Sequence, residues 1–97
     1  MMKEMKKMST IAASNTLKMH KRHLKEEMKS NTISNEKLFK RRRLVVAYES
    51  LIYGIENLNW IVDMEFAEGE DFKRERYLYR MTRIENLKDH ISWLKAR

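Results

Sequence analysis

The sequence predicts an all-α fold: a long antiparallel helical hairpin preceded by a shorter basic helix, closed either as a three-helix bundle or as a dimeric hairpin. The 97 residues include no proline and only two glycines, so the chain lacks the residues that turns between strands require. Apolar residues make up 42% and charged residues 36% of the chain, as in helices with one solvated face. Apolar residues also recur at helical spacing over long stretches.

The hairpin is predicted over residues 36–97. Its first helix is expected to begin after Ser34 or Asn35 as the N-terminal cap, and the connection is expected at Gly69. Between them, apolar residues recur at helical spacing from Leu38 to Val62. The second helix is predicted from about residue 70 to residue 95, where acidic residues suit the positive end of the helix dipole. The short connection makes the two helices antiparallel.

The antiparallel register predicts that the two long helices are charge-matched. Acidic residues of the first helix would then lie near basic residues of the second. The expected neighbours are Asp63 with Arg74, Glu56 with Arg80 and Arg83, and Glu49 with Lys88.

The first third of the chain is predicted to contain a basic amphipathic helix over residues 16–30. Residues 1–15 are interpreted as a leader that is flexible or becomes ordered on a partner, because serine, threonine and asparagine are poor interior helix residues. Residues 31–35 are interpreted as a linker, since most of them are turn or capping types.

Charge is distributed unevenly along the chain. Residues 1–43 hold 13 basic and 4 acidic side chains, whereas residues 44–97 hold 8 and 10. A basic half joined to a nearly neutral half indicates that the basic half meets an acidic partner.

Two basic clusters are the candidate binding residues. The first is a stripe along one face of the N-terminal helix, which we call the α1 stripe: Lys18, Lys21, Arg22, Lys25 and Lys29. The second is the run at the start of the hairpin: Lys40, Arg41, Arg42 and Arg43. Either cluster would neutralise phosphates, with arginine suited to bidentate contact. The alternative interpretation is that both are ordinary solvated helix faces.

Four large aromatic side chains, Tyr53, Trp60, Tyr79 and Trp93, fall partly outside the predicted seam of the hairpin. Such rings are enriched at protein interfaces, so we expect them to contact a protein partner or a second copy in a homodimer. Alternatively, the N-terminal helix covers them and closes a monomeric bundle.

Catalysis is not expected, because the chain has no cysteine and no glycine-rich phosphate loop. Two histidines and Glu27 have helical spacing, but without a fourth ligand and among basic neighbours they are not expected to bind a metal. No cofactor is expected. No stretch approaches the length of a membrane span, so we expect a cytoplasmic protein without a membrane partner.

The leading functional hypothesis is a non-catalytic helical protein that binds DNA or RNA phosphates without strong sequence specificity. The alternative is a regulator or inhibitor, of the accessory type that phages and mobile elements encode, directed at an acidic patch or at the nucleic-acid channel of a larger enzyme. A structural subunit of a larger assembly is a third hypothesis.

Overall fold

Three helices make up the regular structure of the chain. The computed structural model describes residues 4–30 and 32–97, with helices α1 (Ile11–Lys29), α2 (Asn35–Asp63) and α3 (Glu70–Ala96). No strand occurs in the described residues, which confirms the predicted all-α class. The molecule is a rod of 56 × 20 × 19 Å. None of these helices is long and apolar enough to cross a lipid bilayer.

The ends of the hairpin helices follow from their capping residues. Ser34 caps α2, because its side-chain oxygen accepts a hydrogen bond from the backbone N–H of Lys37 at 3.2 Å. After α2 ends at Asp63, Gly69 precedes α3 with a φ of 97°. Only glycine adopts that backbone conformation readily, so the glycine sets the point at which the chain reverses.

Helix α2 is the central element of the fold and packs against both α1 and α3. On the α3 side, a Cβ atom built on Gly54 would lie 3.4 Å from Ile84 Cγ1. On the α1 side, the ring of His20 stacks on that of Tyr48 with centroids 5.4 Å apart. The buried core lies between the helices and comprises Leu44, Ala47, Tyr48, Leu51, Ile55, Leu58, Ile61, Tyr77, Ile84, Ile91 and Leu94.

The hairpin has the predicted register, but the predicted cross-helix ion pairs do not form within residues 4–30 and 32–97. At about 100° per residue, Glu49 and Glu56 lie roughly 140° and 200° around α2 from Gly54, the residue that faces α3. Both residues therefore lie outside the packed contact between the helices. Glu49 lines the open space between α2 and α3 together with Arg80 and Arg83, but in the described residues its carboxylate forms no ion pair with them.

Helix α1 begins at Ile11 rather than at the predicted Thr16. The serine and threonine residues that argued against a longer helix are accommodated: Ser9 Oγ accepts a hydrogen bond from the N–H of Ile11 at 3.2 Å, and Thr16 Oγ1 donates to the carbonyl of Ala12 at 2.9 Å. Residues 1–3 of the predicted leader and Asn31 of the predicted linker lie outside the described residues.

Residues 4–10 lie against the loop end of the hairpin. The side-chain amide of Asn59 donates to the carbonyl of Met8 and accepts from its N–H, both at 2.8 Å. The hydroxyl of Tyr77 accepts from the N–H of Lys6 at 3.2 Å and donates to its carbonyl at 3.3 Å. These bonds satisfy backbone groups outside any helix, and they place part of the predicted leader against the hairpin.

Candidate nucleic-acid interface

The α1 stripe forms a continuous basic surface on the outer side of α1. Its five members are exposed, and the helical spacing places them within an arc of about 100°. His20, the buried residue of α1, lies on the opposite side of the helix and faces α2. No member of the stripe forms an ion pair within the described part of the chain. The stripe is therefore free to meet an anion.

The four consecutive basic side chains at the start of α2 point in four directions, because successive residues of a helix lie about 100° apart. Lys40 Nζ donates a hydrogen bond to the carbonyl of Arg97 at the end of α3. Arg42 and Arg43 are exposed, and the guanidinium of Arg43 lies 5.4 Å from the centroid of the Phe39 ring.

Arg41 has a structural role that its neighbours do not share. Its Nη2 lies 2.9 Å from Oε1 of Glu27, and its Nη1 lies 2.7 Å from Nδ1 of His20. These contacts tie the start of α2 to α1, with both side chains of the ion pair about one-fifth exposed. Arg41 is therefore engaged within the protein, and the free guanidinium groups of the run are those of Arg42 and Arg43.

His20 is held in its neutral form at this junction. Arginine has no acceptor, so Nδ1 accepts from Arg41 and the proton resides on Nε2, which is buried without a hydrogen-bond partner in the described residues. Burial lowers the pKa of His20 below its usual 6.5, and the positive charges of Arg41 and Lys95 lower it further. Because His20 and Glu27 are both engaged with Arg41, the three side chains form a structural contact between helices.

A small cleft of about 380 Å³ lies where the end of α1, the start of α2 and the end of α3 meet. Its lining contains four basic side chains and one carboxylate, from Glu27, Lys37, Lys40, Arg41 and Lys95. Lys37 was not predicted from the sequence to bind, whereas Lys95 was expected to lie beside the run that begins at Lys40 but was not counted among the candidate binding residues. The predicted hairpin register contained the necessary signal, since it places the end of α3 beside the start of α2.

The fold separates charge along the rod. The contacts of Arg41 with Glu27 and of Lys40 with Arg97 bring residues 18–30, 32–43 and 95–97 to one end, which we call the basic end. These residues include 12 basic and 3 acidic side chains. At the other end, the loop end, residues 63–71 include 5 acidic and no basic side chains, although Lys7 pairs with Asp63 at 2.6 Å.

The four aromatic residues predicted as a partner interface are exposed, but they lie on two different surfaces. Trp93 is nine residues from Ile84, so it lies about 180° around α3 from the side that packs on α2. Its ring stacks on His90 with centroids 5.9 Å apart. Tyr79 shares this outer side of α3, whereas the other two aromatic residues lie on α2.

An exposed apolar stripe runs along α2, and only half of it was predicted from the sequence. Within the chain, its Trp60 ring meets that of Phe66 edge-on with centroids 6.0 Å apart. The members of the stripe recur every seven residues and are more than half exposed: Phe39 61%, Val46 61%, Tyr53 66% and Trp60 52%. We call this set the α2 stripe. The seven-residue spacing was visible in the sequence, but Phe39 and Val46 were not included because the predicted core of α2 already accounted for most of its apolar residues.

An open groove of about 730 Å³ lies between α2 and α3. Its lining includes Tyr53, Gly54, Arg83 and His90, together with Arg80. The Nε atom of Arg80 is buried and has no hydrogen-bond partner in the part of the chain that the structure describes. The groove lies on the side of α2 away from α1, so it is separate from the α1 stripe.

Neither a protein-family model, nor a curated protein, nor a solved structure matches this chain. Its function is therefore inferred from the side chains, charges and exposed surfaces of the molecule.

Proposed function

We propose that this protein is a non-catalytic helical module that binds the phosphates of DNA or RNA through its basic end, without strong sequence specificity, in the cytoplasm. The observation that carries the proposal is the α1 stripe: five exposed basic side chains on one outer face, with no ion pair among the described residues. Arg42, Arg43 and the basic cleft extend positive charge around the same end.

The arrangement favours contact with a phosphate backbone over contact with base edges. The four lysines and one arginine of the α1 stripe neutralise phosphates by their charge, and this contribution to affinity is independent of sequence. Sequence readout in the major groove requires side chains that present paired donors and acceptors to base edges. The exposed face of α1 is mainly lysine, so we expect similar affinities for unrelated sequences of the same length.

The proposal is tested by fluorescence anisotropy with labelled single-stranded and double-stranded oligonucleotides over a series of salt concentrations. The stripe variant replaces Lys18, Arg22 and Lys25 by alanine. We expect this variant to bind more weakly. For duplex DNA, the negative slope of log K against log salt should become shallower by roughly 0.9 for each phosphate that the variant no longer neutralises.

A matched control separates a defined surface from general positive charge. The variant with Lys73, Arg76 and Lys88 replaced by alanine removes the same three charges from α3, at a distance from the α1 stripe. We expect the control to retain nearly all of the affinity. Equal losses in the two variants, or an unchanged affinity and salt slope in the stripe variant, would contradict the proposal.

Arg42 and Arg43 are tested together, with Arg41 left in place because it holds α1. We expect the variant with Arg42 and Arg43 replaced by alanine to weaken binding less than the stripe variant, while its thermal unfolding midpoint stays unchanged. This design avoids the loss of packing that removal of all three arginines would produce.

A second candidate function, a regulator that binds a larger protein, is favoured by the exposed rings on the outer side of α3. Tyr79 and Trp93 are 60% and 52% exposed, and such rings often contribute most of the binding energy at protein interfaces. Affinity that depends on these rings and changes little with salt would favour this function over phosphate binding.

A further inference from the structure

We infer that the α2 stripe is the contact surface of an antiparallel homodimer, in which α2 of one copy packs against α2 of a second copy. This inference does not depend on the proposed function, because it concerns the α2 stripe rather than the α1 stripe and is tested without nucleic acid. Arg42 borders both surfaces. The charges that flank the α2 stripe indicate that its partner is a second copy of the same chain.

The α2 stripe lies outside the packed contacts with both neighbouring helices, and its Tyr53 borders the open groove between α2 and α3. Tyr53 lies five residues from Tyr48, whose ring contacts α1, and so about 140° around the helix from it. It lies about 100° from Gly54, which faces α3. The stripe therefore forms a third apolar face of α2, left uncovered after the other two have packed.

The size of this face suits the centre of a helix–helix interface. Fully buried aromatic side chains contribute about 150–250 Å² each, so the exposed parts of the four side chains present on the order of 450 Å² per copy. That is roughly half of the ~800 Å² that each partner contributes to a typical stable interface. The flanking polar side chains would provide the rest of the buried area as the rim of the interface.

The flanking charges determine both the partner and its direction. Exposed Arg42 and Arg43 flank the amino-terminal half of the stripe, whereas exposed Glu56 flanks its carboxyl-terminal half and exposed Glu49 lies at its midpoint. When the second copy is antiparallel, the basic half of each copy faces the acidic half of the other, which gives two equivalent contacts. In a parallel dimer the two basic halves would face each other, and so would the two acidic halves.

The charge separation along the whole rod favours the same direction. In the antiparallel arrangement the basic end of one copy lies beside the loop end of the other, where residues 63–71 carry only acidic charges. The α1 stripe remains accessible, because α1 packs on the side of α2 away from the second copy.

The seven-residue spacing specifies the register. Phe39 lies opposite Trp60 of the second copy when Val46 lies opposite its Tyr53. In that register Arg42 lies near Glu56 of the second copy, and Ser50 lies close to the two-fold axis. Glu49 also lies close to the axis, beside its own counterpart, so these two carboxylates repel each other.

The first test is the oligomeric state of the full chain, measured by sedimentation equilibrium from about 1 to 100 µM in low salt. We expect a species of twice the 11.8 kDa chain mass, with association weakened at least about tenfold by Tyr53→Ser or Val46→Ser. Tyr79→Ser and Trp93→Ser are matched controls on α3, and we expect them to leave association unchanged.

Charge reversal tests the pairing. Arg42→Glu alone and Glu56→Arg alone should each weaken association, and the double variant should restore it, because antiparallel copies regain opposite charges at both contacts. Glu49→Gln should strengthen association by removing repulsion at the axis. Circular dichroism of each variant shows that its helices are intact.

The direction is tested with single cysteines, since the chain has none of its own. Ser50→Cys lies near the axis and should form a disulfide-linked dimer under mild oxidation. Asn57→Cys, one heptad further along the same side, should not. A monomer throughout the concentration range, equal weakening by Trp93→Ser, or efficient cross-linking of Asn57→Cys would each overturn the inference.

Discussion

The two ends of the rod are held together by different chemistry. At the loop end, neutral hydrogen bonds from Asn59 and Tyr77 hold residues 4–10, together with an exposed ion pair between Lys7 and Asp63. At the basic end, Arg41 joins α2 to α1 through the carboxylate of Glu27 and the ring of His20. Ion pairs and titratable groups respond to salt and pH more than neutral hydrogen bonds do. The ion pair of the loop end is more than half exposed, whereas that of the basic end is about one-fifth exposed and adjoins His20. The packing of the basic end therefore depends more strongly on solution conditions.

The largest effect is expected at the loop end, from Asn59→Ala. This substitution removes both hydrogen bonds to Met8 and leaves its backbone groups without those partners, which costs roughly 2 kcal/mol of unfolding free energy. Urea unfolding measures the loss, and we expect it to be similar at low and high salt. Asn57→Ala is the control on the same helix, and an equal loss from it would show that the bonds to Met8 contribute nothing specific.

The next effect is expected at the basic end, from Arg41→Ala. It leaves Glu27 without its ion-pair partner and His20 without its donor, and we expect a loss of about 1–2 kcal/mol at low salt. The difference from wild type should shrink in about 1 M salt, because the ion pair is partly exposed and therefore screened. Arg42→Ala is the adjacent control. A loss from Arg41→Ala that is independent of salt would contradict an electrostatic role.

The pH dependence sharpens the same comparison. Because the pKa of His20 is lowered in the folded state, the unfolded chain binds the proton more readily. Stability is then complete above the ordinary pKa of 6.5 and falls as the pH drops through that value toward the folded pKa. We expect wild-type stability to decrease as the pH falls through 6.5, and His20→Asn to flatten the decrease. Parallel pH profiles would refute the assignment.

The smallest changes in unfolding free energy are expected from the two glycines, Gly54 in the middle of the rod and Gly69 at the loop end. Gly54→Ala should raise the unfolding free energy by up to about 1 kcal/mol, since alanine favours a helix over glycine and the new Cβ would lie 3.4 Å from Ile84. Gly69→Ala should lower it, because the φ of 97° at that position strains any side chain. Equal signs for the two substitutions would contradict this account.

The sequence was a good guide to the helices and a weaker guide to their contacts. Ser34 and Gly69 marked the bounds of the hairpin because capping and positive φ are local properties. The position of residues 4–10 was not predictable, because it depends on Asn59 and Tyr77 side chains that reach the backbone of distant residues. Nor could the sequence distinguish Arg41 from its three basic neighbours, since that role depends on the direction in which α1 packs.

Helix α1 has one partner helix, because α2 packs against both of its neighbours while the backbones of α1 and α3 stay apart in the described residues. It can therefore open as a separate cooperative unit while the α2–α3 hairpin stays folded. Amide hydrogen exchange should then be faster along α1 than in the middle of α2. An anion bound to the α1 stripe of the closed form would slow that exchange, and the extent of slowing would report its affinity.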